Sequence, residues 1–218
     1  METLSSPLSD SLVAAVSWLA IAALAMIPAG NAFFARRLAF PLGALIGLAL
    51  AGFGLQSIWL HAEQLTLPLG LPDLPFHLRI DALAGFFLLL LGSVSAGVSI
   101  YSMGYFRDET AGRLMLIALQ YHLFLASMAF VILADDAYVF MVAWETMALS
   151  SYFLVTTDHK LPAIRSAGFL YLLIAHLGAI SILPTCRLGR ALLWEASSQP
   201  NRRAARKPRD SQGSARRV

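Results

Sequence analysis

The chain has 218 residues, of which 58% are hydrophobic and 13% charged, with a mean hydropathy of +0.67. So few charges cannot clothe so apolar a chain in water, which excludes an ordinary soluble globule and implies an integral membrane protein. The net charge of +3 hides an asymmetry: residues 1–183 carry seven Arg and Lys against eleven Asp and Glu, whereas residues 184–218 carry nine against two.

Six apolar runs of bilayer-crossing length, about 20 residues each, follow one another. They are Ser11 to Ala29, Leu38 to Leu60, Ala82 to Met103, Leu114 to Leu133, Ala137 to Thr156 and Ala163 to Leu183. The runs are twice too long for strands of an outer-membrane barrel and lack its alternation, so each reads as a helix. The fold class is therefore all-α: a polytopic bundle of about six transmembrane helices.

The first run follows Glu2 and Asp10 rather than a basic segment, and no small-residue cleavage site follows it, so it is expected to be a retained helix rather than a signal peptide. Small residues recur four apart on the second helix (Gly43, Gly47, Ala51) and the third (Gly92 with Ala96, Ser93 with Gly97), a spacing that predicts close helix packing. Between these helices, His61 to Ile80 contains Pro68, Pro72 and Pro75 and cannot be one helix; it reads as an extramembrane connection.

Arg36 and Arg37, Arg107 and Arg113, and Lys160 and Arg165 occupy alternate loops, while Glu2, Asp10, Glu63, Asp73, Asp135 and Asp136 lie on the other side with Arg79. Basic loops belong in the cytoplasm, so the N-terminus is expected outside; the expected location is a bacterial inner membrane, as a multi-pass protein. Six crossings then return the chain to the outside, where the basic residues after Leu183 contradict the same rule. Residues 1–183 form the transmembrane region and 184–218 a basic tail with three open readings: a lipid- or nucleic-acid-binding arm, a disordered terminus, or translation outside the original frame from about Pro184. The last is preferred, because apolar patterning stops abruptly there. Cys186, the one cysteine, supports neither disulfide nor metal site.

The fifth run, "FMVAWETMALSSYFLV", holds Glu145. Counted from Ala137 at about 1.5 Å per residue, the carboxyl lies about 12 Å inside a hydrocarbon layer of about 30 Å, where a charge costs at least about 2.5 kcal/mol. It is expected to face the bundle interior, paired or protonated, and a proton-handling role outweighs a purely structural one. In the sixth run, "LYLLIAHLGAIS", His176 lies about 10 Å from the outer face, nearly level with Glu145, and is a candidate proton relay. His122 in the fourth run, about 12 Å from the inner face, is a weaker candidate. For both histidines the alternative is a ring that simply donates to a backbone carbonyl. Asp81, Asp135 and Asp136 sit at helix starts, where capping and the helix dipole account for them. Ser150, Ser151 and Tyr152 are weak candidates for hydrogen bonds across helices.

Soluble catalytic chemistry has no foothold: there is no glycine-rich phosphate loop, paired-cysteine cluster motif, zinc spacing or Rossmann fingerprint. The differing depths of His122 and His176 disfavour a shared haem iron. No metal or cofactor is expected on this chain.

"RIDALAGFFLLLLGSVSAGVSIYSMGYF" followed by "DDAYVFMVAWETMALSSYFLV" resembles the antiporter-like membrane subunits shared by respiratory complex I, Mrp-type cation/proton antiporters and membrane-bound nickel-iron hydrogenases. With "YLLIAHLGAISIL", the likeness is nearest to the large membrane subunit of hydrogenase-4 and formate hydrogenlyase, component B. It covers about Leu78 to Leu183 well and the first two helices in general character. The resemblance implies a proton-translocating subunit, without a redox centre of its own, in an oxidoreductase complex; its partners would be other membrane subunits, a peripheral redox arm and the lipid bilayer, with no nucleic acid. It also implies that Glu145 pairs with a lysine on a seventh helix, within inverted five-helix repeats that total about fourteen helices. Six helices leave the first repeat incomplete and the lysine missing, since Lys160, the lone lysine of the apolar body, falls in a loop. Three readings follow: the N-terminal part of a pump subunit of a hydrogenase-4-like or complex I-like assembly, an Mrp-type antiporter subunit, or a truncated, inactive or purely structural membrane fragment.

Overall fold

The computed structural model describes residues 6–26, 31–71, 74–158, 162, 164–182 and 184. Packing divides the chain into Met1–Ala179 and Ile180–Val218; the architecture below is that of the first unit. Lys160 and the tail beyond Pro184 lie outside the described residues.

Six helices among the described residues are long and apolar enough to cross a membrane: Pro7–Ala25, Arg37–Ser57, Ala82–Tyr105, Ala111–Leu133, Ala137–Val155 and Ile164–Ile182. The expected all-α polytopic bundle is thus found, with boundaries close to those of the apolar runs. We label α1 (Pro7–Ala25), α2 (Phe40–Ser57), α3 (Ala82–Tyr105), α4 (Ala111–Leu133), α5 (Ala137–Val155) and α6 (Ile164–Ile182). A short helix Asn31–Phe34 and a π-helical turn Ala35–Ala39 lead into α2.

Local chemistry sets the helix starts. Ser6 caps α1 by accepting from the Ser9 N–H, and Pro7 occupies the first turn, where a missing N–H costs nothing. Asp81 caps α3 by accepting from the Ala84 N–H at 2.9 Å. Asp136 caps α5, accepting from the N–H groups of Tyr138 and Val139, both at 2.8 Å. Asp81 and Asp136 therefore act as the sequence predicts.

Trp18, Phe40, Leu50, Leu88, Leu114, Leu133 and Val139 are buried, whereas Val13, Leu45, Phe86, Val94 and Leu116 point outward. Apolar residues on both faces are what a lipid-immersed bundle requires. The closest packing joins α2 to α3. A Cβ on Gly92 would stand 2.5 Å from the Ala51 nitrogen and the Gly47 carbonyl oxygen, and one on Gly54 2.6 Å from the Leu89 nitrogen. The backbones touch there because these positions lack side chains. Ser93 and Gly97 differ from expectation: both lie on the outward face of α3, and a Cβ on Gly97 would meet nothing within 4 Å.

The proline-bearing connection is an antiparallel hairpin of β1 (Glu63–Leu71) and β2 (Leu74–Ile80), in the register Glu63↔Ile80, Leu65↔Leu78 and Leu67↔Phe76. The register shifts between Leu67 and Gly70, an interval that contains Pro68, where a strand residue without an N–H is tolerated. Leu78 and Ile80 are buried, and β2 is clasped to the start of α5: the Asp135 N–H donates to the His77 carbonyl at 3.0 Å, and the His77 N–H donates to Asp136 Oδ2 at 3.1 Å. Arg79 lies 3.8 Å from Asp81 and 3.9 Å from Asp135. The Leu8 N–H donates to Glu63 Oε2, so the starts of α1, α3 and α5 share the hairpin end of the bundle. At the other end, Phe40 stacks on Phe106, which brings the start of α2 to the end of α3.

Candidate functional site

Glu145 and His176 meet. Glu145 Oε1 lies 2.6 Å from His176 Nε2, with both side chains about two-fifths exposed. The two helices are held in register by a second contact nearer the opposite end of α5, where Gly168 abuts Tyr152 and Thr156 so closely that a Cβ would stand 2.4 Å from Thr156 Cγ2 and 3.2 Å from Tyr152 Cε2. His176 is eight residues beyond Gly168 on α6, and Glu145 is seven before Tyr152 on α5. At about 1.5 Å per residue these steps nearly match, as they must for antiparallel helices. The similar depths expected from the sequence are realised as direct contact.

The ring of His176 has a fixed tautomeric sense. Its Nδ1 lies 2.8 Å from the Leu172 carbonyl, which can only accept, so Nδ1 carries a proton. Nε2 is then a lone pair in the neutral ring and an N–H in the cation. At 2.6 Å from a carboxyl oxygen, either the protonated Glu145 donates to Nε2, or the imidazolium donates to the carboxylate. Both arrangements hold one proton between the side chains. Its removal sets a lone pair against a carboxylate, which is repulsive and leaves an uncompensated charge between two apolar spans. The pair is therefore a one-proton device whose contact depends on that proton.

His122 is elsewhere. It is fully buried, its Nδ1–H donates to the Ala118 carbonyl at 2.8 Å, and its ring packs against Phe40 and Tyr121 with centroids 6.0 and 5.1 Å away. It faces α2 and α3, whereas His176 faces α5. Ser150 does not bond across helices: its hydroxyl donates to the Thr146 and Met147 carbonyls of its own helix. Asp135 engages His77 through its N–H and Arg79 through its carboxyl rather than capping α5. Among the described residues, no group of three His, Cys, Asp or Glu side chains is placed to hold a metal ion. Sequence reasoning missed Ser99 and Tyr121, whose hydroxyls lie 3.0 Å apart beside His122; the adjacent Tyr and His in "LQYHLFL" were the available signal.

No protein-family model matches the chain. It is 32% identical over 152 residues to hydrogenase-4 component B of Escherichia coli K12, an alignment covering 67% of this chain and 22% of that protein. It is 31% identical over 177 residues to NADH-quinone oxidoreductase subunit L of Mycobacterium tuberculosis, covering 74% and 28%. The chain is a homologue of antiporter-like membrane subunits. An uncharacterized protein of Mycobacterium tuberculosis is 37% identical over 139 residues, covering 63% of this chain and 21% of its own length. The chain thus matches between about a fifth and a little over a quarter of each of these relatives. The six apolar helices among the described residues make it a multi-pass membrane protein.

Proposed function

We propose that residues 1–183 are the N-terminal region of a proton-translocating subunit in a bacterial inner-membrane redox complex of the hydrogenase-4 or NADH-quinone oxidoreductase kind, with Glu145 and His176 as its proton-holding pair. The observation that carries this reading is the 2.6 Å contact between a carboxyl and an imidazole inside two apolar spans. A group that takes up and releases one proton where charge is expensive is the element a proton path needs. The relatives that are named after redox complexes support that setting. Partner membrane subunits and a peripheral redox arm would supply the electron chemistry. The arginines Arg37, Arg107 and Arg113 mark the end of the bundle that faces the cytoplasm, which puts the hairpin and the N-terminus outside.

The test is turnover-linked acidification of inverted membrane vesicles from the host, with the gene intact and deleted. The reading predicts an uncoupler-sensitive pH gradient that disappears with the gene and returns on complementation. Equal acidification per electron transferred in the two strains would contradict it.

A further inference from the structure

His122 has a buried polar atom to account for. Nδ1 is bonded to Ala118, and Nε2 has no hydrogen-bond partner; an unsatisfied buried group of this kind costs on the order of 1–3 kcal/mol. The Ala39 carbonyl of the π-helical turn is close to the ring but completes no bond to Nε2 of proper geometry. Nε2 points toward Gly43 of α2. A Cβ at Gly43 would stand 2.6 Å from Nε2 and 3.3 Å from Ser99 Oγ, so both polar atoms converge on space that glycine keeps open. Ser99 Oγ lies 3.0 Å from the Tyr121 hydroxyl, which in turn lies 3.1 Å from the Ser95 carbonyl. Tyr121 also lines a crevice of about 240 Å³ with Phe40, Tyr101, Tyr105 and Phe106, near the bundle end that carries Arg37 and Arg107.

We propose that Tyr121, Ser99 and His122 form a second proton-binding site, separate from the Glu145–His176 pair and reached from the aromatic crevice. With His122 neutral, Nε2 is an unpartnered lone pair, the Tyr121 hydroxyl donates to the Ser95 carbonyl, and Ser99 donates to the Tyr121 oxygen. A hydronium that enters from the crevice side gives its proton to Nε2 in the space that Gly43 leaves open, while the Ser99 and Tyr121 hydroxyls keep theirs. One proton leaves water, one appears on the ring, and each hydroxyl still carries one. The new Nε2–H then donates to Ser99 Oγ and heads the existing chain, in which Ser99 donates to Tyr121 and Tyr121 to the Ser95 carbonyl at 3.1 Å. The groups around the ring are Phe40 and Gly43 of α2, Ser95 and Ser99 of α3, Ala118 and Tyr121 of α4, and Trp18 of α1, which donates to the Gly43 carbonyl. Of these, Tyr121 alone titrates.

The test uses the full chain in lipid nanodiscs with ¹⁵N-labelled histidine, following ring-nitrogen NMR shifts between about pH 4 and pH 9. The His122 signals are assigned by their loss in His122→Asn. The expected result is that Nδ1 stays protonated throughout while Nε2 gains a proton on acidification. The midpoint should fall by about one pH unit, a tenfold loss of proton affinity, in Ser99→Ala, and by less in Tyr121→Phe. A wild-type Nε2 that never protonates in this range, or a Ser99→Ala midpoint equal to wild type, would overturn the proposal.

Discussion

Gly168 of α6 sits against Tyr152 of α5, with Cε2 of the ring 3.2 Å from where a Cβ would be, and this approach sets the height at which His176 reaches Glu145. A bulky residue at the glycine must move the helices apart or slide them. Gly168→Leu is expected to break the 2.6 Å contact while leaving both polar residues in place. Cross-linking of a Glu145→Cys, His176→Cys pair would read this out: the disulfide should form readily while Gly168 is kept and poorly once Gly168→Leu is added to the same background.

The two partners of the proton device should not contribute independently. His176→Ala should lower turnover-linked proton transport only in part, because a carboxyl can still be protonated by water. Combined with Glu145→Asp, which keeps an ionisable carboxyl but draws it back from the ring, it should add little to the loss from Glu145→Asp alone, the behaviour of residues acting as a unit. Initial rates of vesicle acidification across the four combinations measure that coupling, and strictly multiplicative losses would speak against a shared proton.

At the hairpin end, the Asp136 carboxyl is held below its ordinary value of 3.8. Partial burial opposes ionisation, but hydrogen bonds from Val139, from the backbone and ring of His77, and from Tyr138 outweigh it. A carboxyl lowered on folding stabilises the fold above its unfolded value, and that stabilisation is lost as pH falls through the folded one. The clasp between β2 and α5 should therefore be intact at neutral pH and weaken below about pH 3.8. Asp136→Ala should cost about 1 kcal/mol through the lost cap, with Asp136→Asn milder. Thermal unfolding in detergent at neutral pH and at about pH 3 checks both points, since the wild-type advantage over Asp136→Ala should shrink in acid.

Two glycines on α3 separate packing from mere spacing. Gly92→Ala places a methyl 2.5 Å from the backbone of α2 and should destabilise the bundle by about 1–3 kcal/mol, whereas Gly97→Ala meets nothing within 4 Å and should be neutral or slightly stabilising. Unfolding of the two variants in mixed micelles distinguishes them.

These cases also mark what the sequence makes legible. The six spans follow from the length of the apolar runs, because hydrocarbon thickness dictates length directly. Depth is equally legible: a fixed rise per residue puts Glu145 and His176 nearly level. Azimuth is not: the Gly168 approach to Tyr152 and the His176–Glu145 contact show which face of α6 meets α5. The same gap explains Ser93 and Gly97, since four-residue spacing marks a face without saying whether that face is packed. The prolines of the connection exclude a helix, yet pairing of Leu65 with Leu78 depends on register, which no local signal supplied. Ser150 turned back to its own helix, as hydroxyls in apolar helices commonly do.

The most direct measurement is proton translocation per turnover in the assembled complex carrying Glu145→Gln, in which the amide keeps the shape of the side chain but cannot exchange a proton. The account predicts normal assembly with turnover-coupled acidification abolished. Wild-type coupling in that variant would remove Glu145, and with it the Glu145–His176 pair, from the proton path.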